Sequence, residues 1–347
     1  MIENVKSNLK RVIVVVVLLA FVGGVVWVYK TYHRYFKNNV VADSYLHIRS
    51  NANFAMVVDS IKSHHLLKDT NTFISSAIEM NYVNRVAPGR YHLKMGMGNR
   101  QLINMLISAN QEPVKLSFQN IRLKSNFAAY IAKKIEADSM SIISLLDSAE
   151  YLKSYNFNPQ NVYTMFLPNS YELYWNTSAK QFFEKMNNEY KRFWSDERLK
   201  KAESIGLTPV EVSVLASIVD AEALVNAEMP IIAGLYLNRL KKGMKLESDP
   251  TVIFAVRDFS IRRVLNKHLK KSSPYNTYQV QGLPPGPIMM PSVKAIDAVL
   301  NYKQHNYIYM CAKEDFSGYH NFAIQKTEHI MNATKFQQAL NQRNIKK

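Results

Sequence analysis

The chain has 347 residues, which is enough for one large or two modest folded domains. Apolar residues make up 47% of it and charged residues 20%, proportions that are ordinary for a folded protein and exclude disorder on a large scale. The formal net charge is +17, but the basic residues are spread along the chain and form no zinc-finger spacing or Gly-aromatic RNA-binding signature, so we expect no nucleic-acid partner.

The first predicted element is a transmembrane helix. Residues 12–29 carry no charge and are rich in Val and Leu, and their length is close to the roughly 20 residues that cross a bilayer. An aromatic belt continues from the apolar segment, which favours a retained anchor over a cleaved signal peptide: Trp27, Tyr29, Tyr32, Tyr35 and Phe36. Basic residues flank the segment on both sides, so charge does not decide its orientation: Lys6, Lys10 and Arg11 before it, and Lys30, Arg34 and Lys37 after it.

The region after the anchor alternates short strand-like and helical segments, which predicts a small α+β module at residues 40–112. The predicted strands are residues 46–48 and 89–93, and the predicted helices are residues 54–64, 73–80 and 99–108. Residues 113–160 repeat the strand-helix theme as a connecting region. It contains a strand at 114–118 and a helical stretch at 139–156, and a packing helix is expected further on at 182–198.

The most informative segment is a helix that begins with a capping box. Thr208 is the predicted N-cap, Pro209 the first helical residue and Glu211 the reciprocal partner, so the phase of the helix can be read. One face then carries Leu215, Ile218, Val219 and Glu222, and the other carries Ser213, Ser217 and Asp220. We expect Asp220 to be solvated.

The same phase places the carboxyl group of Glu222 on the apolar face of the helix. Desolvation disfavours the charged carboxylate and raises its pKa, which is what a general acid near neutral pH requires. The alternative is a glutamate paired with an arginine or a backbone amide, and the helix alone does not choose between the two.

Five further motifs follow Glu222 in order: NRL at 238–240, GMKL at 243–246, SDPTV at 248–252, YNTY at 275–278 and GLPPGPI at 282–288. With these motifs the chain resembles the MltG-type (YceG-like) endolytic murein transglycosylases, membrane-anchored bacterial enzymes that cut newly made glycan strands. The motifs run from about residue 215 to residue 320, and the weaker N-terminal layout extends the resemblance over nearly the whole chain.

The resemblance implies an α+β fold class with five parts. These are a short cytoplasmic N-terminus at residues 1–11, a transmembrane helix at 12–29, a LysM-like module at 40–112, the connecting region at 113–160 and a catalytic α+β domain at 161–345. It also implies a single-pass protein of the inner membrane with its catalytic domain on the periplasmic side. LysM modules bind the sugar backbone of the wall, but here glycan binding and a structural spacer both stay open. The expected partners are peptidoglycan strands and proteins of wall synthesis.

In the family, one glutamate aligned with Glu222 does the chemistry. It protonates the glycosidic oxygen between N-acetylmuramic acid and N-acetylglucosamine, and its carboxylate then takes the proton from the C6 hydroxyl of the same muramic acid. The product is a 1,6-anhydro ring, so the reaction needs neither water nor a metal or organic cofactor. This chain departs from the family pattern at three of the positions that bear on the site. Asp220 and Ala223 replace a Glu and a Thr of the family pattern, and Asn169 replaces an Asp, so we assign no acid-base role to Asn169.

The other candidate site residues have two interpretations each. Tyr275, Asn276, Thr277 and Tyr278 offer the aromatic faces and polar groups of a sugar subsite. Asn238 and Arg239 match a family motif, and Arg239 binds either a carboxylate or substrate carbonyl, or a partner helix through a salt bridge. Asp249 is a second carboxylate or an N-cap, and His320 orients substrate or Glu222, or makes a structural hydrogen bond. The loop at 282–288 is a groove wall or a brace.

Two other functions remain open at this level. One is a membrane-tethered, non-catalytic glycan-binding scaffold in which Glu222 is structural. The other is a hydrolase that uses Glu222 with Asp249, because ordinary glycosidases need a pair of carboxylates.

Overall fold

The computed structural model describes residues 2–343, and the side chains from Lys10 onward. The side chain of Lys6, one of the flanking charges, therefore lies outside the described part. So do residues 344 and 345, the last two of the expected catalytic domain. The chain divides into two compact units, Met1–Val114 with Glu172–Thr177, and Lys115–Tyr171 with Ser178–Lys347.

Helix α1 (Ile2–Tyr35) contains a span that is long and apolar enough to cross a membrane. The span is Lys10–Tyr35 and has 26 residues; its most apolar 18-residue window has a mean hydropathy of 2.9 and is not buried in the protein. At 1.5 Å per residue it is about 39 Å long, against about 30 Å of bilayer hydrocarbon. The helix continues past residue 29 to Tyr35, so all of the aromatic belt except Phe36 lies on the same helix as the apolar segment.

The rest of the first unit is a small α+β structure. Strands β1 (Ser44–Ile48) and β2 (Gly89–Leu93) pair in antiparallel register, with Leu46 opposite Tyr91. Helices α2 (Phe54–Ser63), α3 (Thr70–Glu79) and α4 (Asn99–Ile107) close an apolar core around them. All five elements predicted from periodicity are confirmed, with small shifts at their ends.

The next elements along the chain include a second two-stranded sheet, formed by β3 (Val114–Phe118) and β4 (Asn169–Leu173). The helices are α5 (Lys124–Ala132), α6 (Ser139–Asp147), α7 (Ala149–Lys153), α8 (Ala179–Phe193) and α9 (Asp196–Ser204). The helical stretch expected at 139–156 is present as two helices that end at Lys153, because Ser148 ends α6 and its hydroxyl caps α7 by accepting from the Tyr151 N–H at 3.2 Å. The helix expected at 182–198 likewise breaks before Asp196.

The remaining elements begin with helix α10 (Pro209–Glu222), which packs against three of the helices that follow it. The elements after α10 are α11 (Met229–Lys241), α12 (Asp249–Val256), α13 (Asn266–Leu269), α14 (Val293–Leu300), β5 (Tyr309–Ala312), β6 (His320–Ala323) and α15 (Lys326–Gln342). Strands β5 and β6 form an antiparallel pair. Helix α11 begins at Met229, after a short 3-10 turn at Asn226–Glu228.

The start of α10 matches the prediction, but its expected polar face does not exist. The capping box is present, since the Thr208 N–H donates to Glu211 Oε2 at 2.8 Å and the Glu211 N–H donates to the Thr208 hydroxyl at 3.2 Å. Ser213 and Ser217 are fully buried because α10 packs against α11, α12 and α14 together. Their hydroxyls donate to backbone carbonyls one turn back, which satisfies them inside the core.

Asp220 is also not solvated as expected. Its carboxylate accepts from the N–H of Ser292 at 2.7 Å and from the Ser292 hydroxyl at 3.1 Å. Ser292 is the N-cap of α14, so Asp220 places a negative charge at the positive end of that helix. Asp220 therefore ties α14 to the end of α10 that carries Glu222.

The loop at 282–288 braces α10. The Ile288 N–H donates to the Ser217 hydroxyl at 3.1 Å, and the chain is buried from Gly286 to Pro291. A Cβ atom at Gly286 would lie 1.9 Å from the carbonyl oxygen of Gln160, so only glycine allows this close approach of two backbone segments.

We expect Gly286→Ala to lower the free energy of unfolding by roughly 3 kcal/mol, because backbone must move to make room. Gly206→Ala is the matched control. Gly206 has open space around its missing side chain and a φ of +73°, so only backbone strain of about 1 kcal/mol applies. Chemical denaturation of the full chain in detergent measures both variants. Equal losses would show that the contact with Gln160 is not a constraint.

Candidate active site

A pocket of about 770 Å³ lies in the second unit at the C-terminal end of α10, a volume in the range of ligand pockets. Its walls come from α11, the segment from Met244 to Asp249, β5 and α15. Five of the predicted site residues line it: Glu222, Arg239, Asp249, Tyr278 and His320.

Two hydroxyl groups hold the carboxyl group of Glu222. The Ser248 hydroxyl donates to Oε1 of Glu222 at 2.5 Å, and the Tyr236 hydroxyl donates to the same oxygen at 3.0 Å. These partners differ from the arginine or backbone amide of the alternative interpretation. Hydroxyls provide no compensating positive charge, so the carboxyl stays free to change its protonation state.

Burial is the main cause that raises the pKa of Glu222 above its ordinary value of 4.5. The side chain as a whole is half-buried, and the protein atoms packed around its carboxyl desolvate the charged form. The negative charge of Asp249 raises the pKa further, whereas the hydrogen bonds from Ser248 and Tyr236 lower it. The net direction is upward, which keeps more of the carboxyl protonated as the pH approaches neutrality.

Asp249 and Tyr278 form a second polar pair on the pocket wall. The Tyr278 hydroxyl donates to Oδ1 of Asp249 at 2.7 Å. Surrounding protein atoms desolvate the Asp249 carboxylate and raise its pKa, although the residue is exposed to the pocket. The N-cap interpretation of Asp249 is wrong by one position, since Ser248 is the N-cap and Asp249 is the first residue of α12.

Arg239 is buried, and its guanidinium group ties together the segments around the pocket. Its Nε donates to the Lys245 carbonyl at 2.7 Å, its Nη1 donates to the Ile308 carbonyl at 2.8 Å, and its Nη2 pairs with the carboxylate of Glu247. These hydrogen bonds go to backbone carbonyls and to the carboxylate of Glu247. They resemble the structural salt bridge that was one of the two interpretations of Arg239. A direct contact with substrate stays a prediction.

His320 lines the pocket and is anchored to a buried acid. Its Nδ1–H donates to Oε2 of Glu228 at 2.9 Å, and its backbone N–H donates to Oε1 of Glu228 at 3.0 Å. The structural hydrogen bond considered for this residue is therefore present. Because Glu228 takes Nδ1, Nε2 is the ring nitrogen left for a ligand.

Among the described residues, four predicted site residues do not line the pocket. Asn238 donates from Nδ2 to the His305 carbonyl at 2.7 Å and to the Tyr307 carbonyl at 3.1 Å. Tyr275 packs its ring against Phe254, with 4.8 Å between the ring centroids. Both residues serve the packing of the protein in this structure.

Asn276 and Thr277 are fully buried behind the pocket. The Asn276 amide donates to the carbonyls of Leu269 and Lys271 at 2.9 and 2.7 Å. The Thr277 hydroxyl accepts from the Ser248 N–H at 3.0 Å. These hydrogen bonds are positional, and direct contact of either residue with a sugar stays a prediction.

Several residues around Glu222 and in the pocket wall could not be predicted from the sequence. Ser248 was part of a quoted motif, yet no pattern marked its hydroxyl as a partner of Glu222. Tyr236 lies on α11, where helical periodicity marks it only as core. The wall from α15 had no sequence signal: Lys326, His329, Phe336 and Gln337.

The site suits acid-base chemistry centred on one carboxyl group. A carboxyl with a raised pKa donates a proton near neutral pH, and two hydroxyl donors stabilise the carboxylate that remains. In the part of the chain that the structure describes, no three His, Cys, Asp or Glu side chains are grouped as a metal site requires.

Known proteins resemble this chain in sequence and in fold. An endolytic murein transglycosylase of Bacillus subtilis (strain 168) is 27% identical over 289 residues, which is 78% of this chain and 79% of the relative. One from Streptococcus pneumoniae (strain D39) is 32% identical over 113 residues, 31% of this chain and 20% of that protein. A crystal structure of a YceG-like protein from Listeria monocytogenes matches 83% of this chain and 98% of its own, with a TM-score of 0.55 and 21% identity, which shows a shared fold.

A model of one protein family covers most of the chain. The match runs over residues 46–335, which include nearly all of the small α+β structure of the first unit and of the pocket lining of the second. The chain therefore belongs to the YceG-like family.

Proposed function

We propose that this chain is an endolytic murein transglycosylase that uses Glu222 as its single acid and base. The observation that carries the proposal is the Glu222 carboxyl group, which opens into a pocket of about 770 Å³ and has a pKa raised by burial. The family and the printed activity of the Bacillus subtilis relative, which this chain matches over 78% of its length, support the same reaction class.

In the first half of the proposed reaction, protonated Glu222 donates its proton to the glycosidic oxygen between N-acetylmuramic acid and N-acetylglucosamine. The bond from that oxygen to the muramic acid carbon breaks, and the N-acetylglucosamine part leaves as an alcohol. The raised pKa supplies the protonated form, and the two hydroxyl groups on Oε1 stabilise the carboxylate that the transfer creates.

In the second half, the Glu222 carboxylate takes the proton of the C6 hydroxyl of the same muramic acid. The oxygen of that hydroxyl forms the 1,6-anhydro ring, and Glu222 returns to its protonated state. Because the attacking group belongs to the sugar that is already bound, the ring closure has the rate advantage of an intramolecular reaction. No second catalytic carboxylate is required.

We propose that the pocket residues around Glu222 contact the glycan. Tyr278 offers an aromatic face, Asp249 accepts hydrogen bonds from sugar hydroxyls, and His320 has one ring nitrogen free of Glu228. Arg239 is a further candidate contact. The remaining predicted residues act behind this layer, by holding the backbone that carries it: Asn238, Tyr275, Asn276 and Thr277.

We further propose a division of labour along the chain. Residues 12–29 anchor the protein in the inner membrane as a single span, and the catalytic domain at 161–345 acts on the periplasmic side. Residues 40–112 are a LysM-like module that holds the glycan, connected by residues 113–160. The apolar exposed helix α1 and the compact α+β structure that follows it support this arrangement. Proteins of wall synthesis are the proposed partners.

The first test is mass spectrometry of the fragments that the full chain in detergent releases from uncrosslinked glycan. Wild type should form anhydro-ended fragments, and Glu222→Gln should lower that rate by about 100- to 10,000-fold because the acid and base are lost. Gln keeps the size of the side chain and an oxygen for the two hydroxyl donors. Intact strands with both proteins would instead support the non-catalytic scaffold.

Asp249→Asn separates the transglycosylase from the two-carboxylate hydrolase. We expect anhydro-ended products to persist, and the pH above which activity falls to move lower, because the negative charge of Asp249 raises the pKa of Glu222. Product mass and a pH-rate profile measure both effects. Products one water heavier from wild type, lost in Asp249→Asn, would identify a hydrolase.

The raised pKa of Glu222 also predicts a pH-dependent stability difference. The folded state holds this proton more tightly than the unfolded state, so wild type loses stability as the pH rises from about 4.5 through the folded-state pKa. Glu222→Gln lacks this loss. It should therefore be more stable than wild type at neutral and alkaline pH, with the difference disappearing below about pH 4.5.

Thermal unfolding of the full chains across pH checks this expectation. Glu203→Gln, at an exposed glutamate of α9, is the control for the loss of a surface charge. A difference between Glu222→Gln and wild type that grows toward acid pH would contradict the raised pKa.

A further inference from the structure

A closed ring of hydrogen bonds surrounds the backbone of Ser248. The Ser248 N–H donates to the Thr277 hydroxyl at 3.0 Å, and the Thr251 hydroxyl donates to the Ser248 carbonyl at 2.6 Å. The two threonine hydroxyls lie 2.8 Å apart. Since the Thr251 hydroxyl donates its proton to the Ser248 carbonyl, the Thr277 hydroxyl is the donor in the bond between the two threonines. Each threonine hydroxyl in the ring therefore donates once.

The residues of the ring are buried. Ser248, Thr251 and Thr277 are at most 1% exposed, so a missing partner would leave an unsatisfied polar group inside the protein. On the other side of Ser248, Arg239 binds the Lys245 carbonyl and the carboxylate of Glu247. The backbone at Ser248 is thus held from both directions, which fixes where its side chain points.

The Ser248 side chain points at Oε1 of Glu222, and so does the Tyr236 hydroxyl. If Oε1 carried the acid proton, it would donate to only one of these hydroxyls, and the other would face a protonated oxygen, which is a poor acceptor. With the proton on Oε2, both hydroxyls donate to Oε1 without conflict. Oε2 has no hydrogen-bond partner among the described residues and is not enclosed, so it opens to the pocket.

We infer that the ring of Ser248, Thr251 and Thr277, together with Tyr236, is a positioning device that keeps Oε1 of Glu222 unprotonated and Oε2 as the proton carrier. Ser248 and Tyr236 act directly on the carboxyl group, and the two threonines act through Ser248. The inference rests on the proposed role of Glu222 as acid and base. In this role the buried Thr277 acts through Ser248 and needs no contact with a sugar.

The test uses four variants of the full chain in detergent: Ser248→Ala, Tyr236→Phe, Thr277→Val and Thr164→Val. Ser248→Ala removes a hydrogen bond that favours the carboxylate, so the pH above which anhydro-end formation falls should move up by about one unit, with a rate loss of about tenfold. Tyr236→Phe should move it in the same direction by less, since its bond is longer. Thr277→Val should raise this pH as Ser248→Ala does, although Thr277 makes no contact with Glu222.

Thr164→Val is the matched control. Thr164 is a buried threonine whose hydroxyl donates to the Asn161 carbonyl at 2.8 Å, away from the pocket. Its loss should lower stability and leave the pH profile in place. If Ser248→Ala and Thr277→Val also lower stability but leave the profile unchanged, the ring is merely structural and the inference is overturned.

A second measurement does not depend on activity. The stability difference between Ser248→Ala and Ser248→Ala/Glu222→Gln reports the protonation of Glu222 by the linkage described above. The pH range over which that difference develops should extend about one unit higher than for wild type against Glu222→Gln. An unchanged range overturns the inference. A shifted range in a chain that forms no anhydro ends would support the positioning device and refute the proposed reaction.

Discussion

The site depends on one balance of forces, the desolvation of the Glu222 carboxyl against the hydrogen bonds of two hydroxyl groups. Burial and the neighbouring Asp249 charge favour the neutral form, while Ser248 and Tyr236 favour the carboxylate. A partner with a full positive charge would have trapped the group in its ionised state. Neutral donors leave both states accessible, which the role proposed for Glu222 as acid and base requires.

Helix α10 is built to hold that carboxyl group in place. Its N-terminal end is closed by the Thr208 and Glu211 capping box, and its middle is buried on all sides. At its C-terminal end, Asp220 is bonded to the start of α14 two residues before Glu222. The end of a rigid helix therefore carries the carboxyl group, while helix α11 supplies the Tyr236 hydroxyl and the N-cap of α12 supplies the Ser248 hydroxyl.

The small α+β structure of the first unit and the start of α10 were predictable from sequence. Both rest on local rules, namely strand and helix periodicity and the fixed spacing of a capping box. The polar face expected for α10 was wrong for a physical reason. Buried serines bond to their own helix backbone, so Ser213 and Ser217 look polar in a sequence yet lie in the core.

Order of motifs along the chain likewise pointed to Glu222, Tyr278, Asp249, Arg239 and His320, all of which line one pocket. The sequence by itself determined the apolar segment of α1, the elements of the first unit, the start of α10 and the position of Glu222 at the end of that helix, because local periodicity and motif spacing encode them. Only the tertiary structure decided which hydroxyls reach Glu222, that Asn276 and Thr277 lie behind the pocket, and that α15 forms a wall. These contacts join residues far apart in the chain, and hydrogen-bond geometry between distant segments leaves no periodic trace in a sequence.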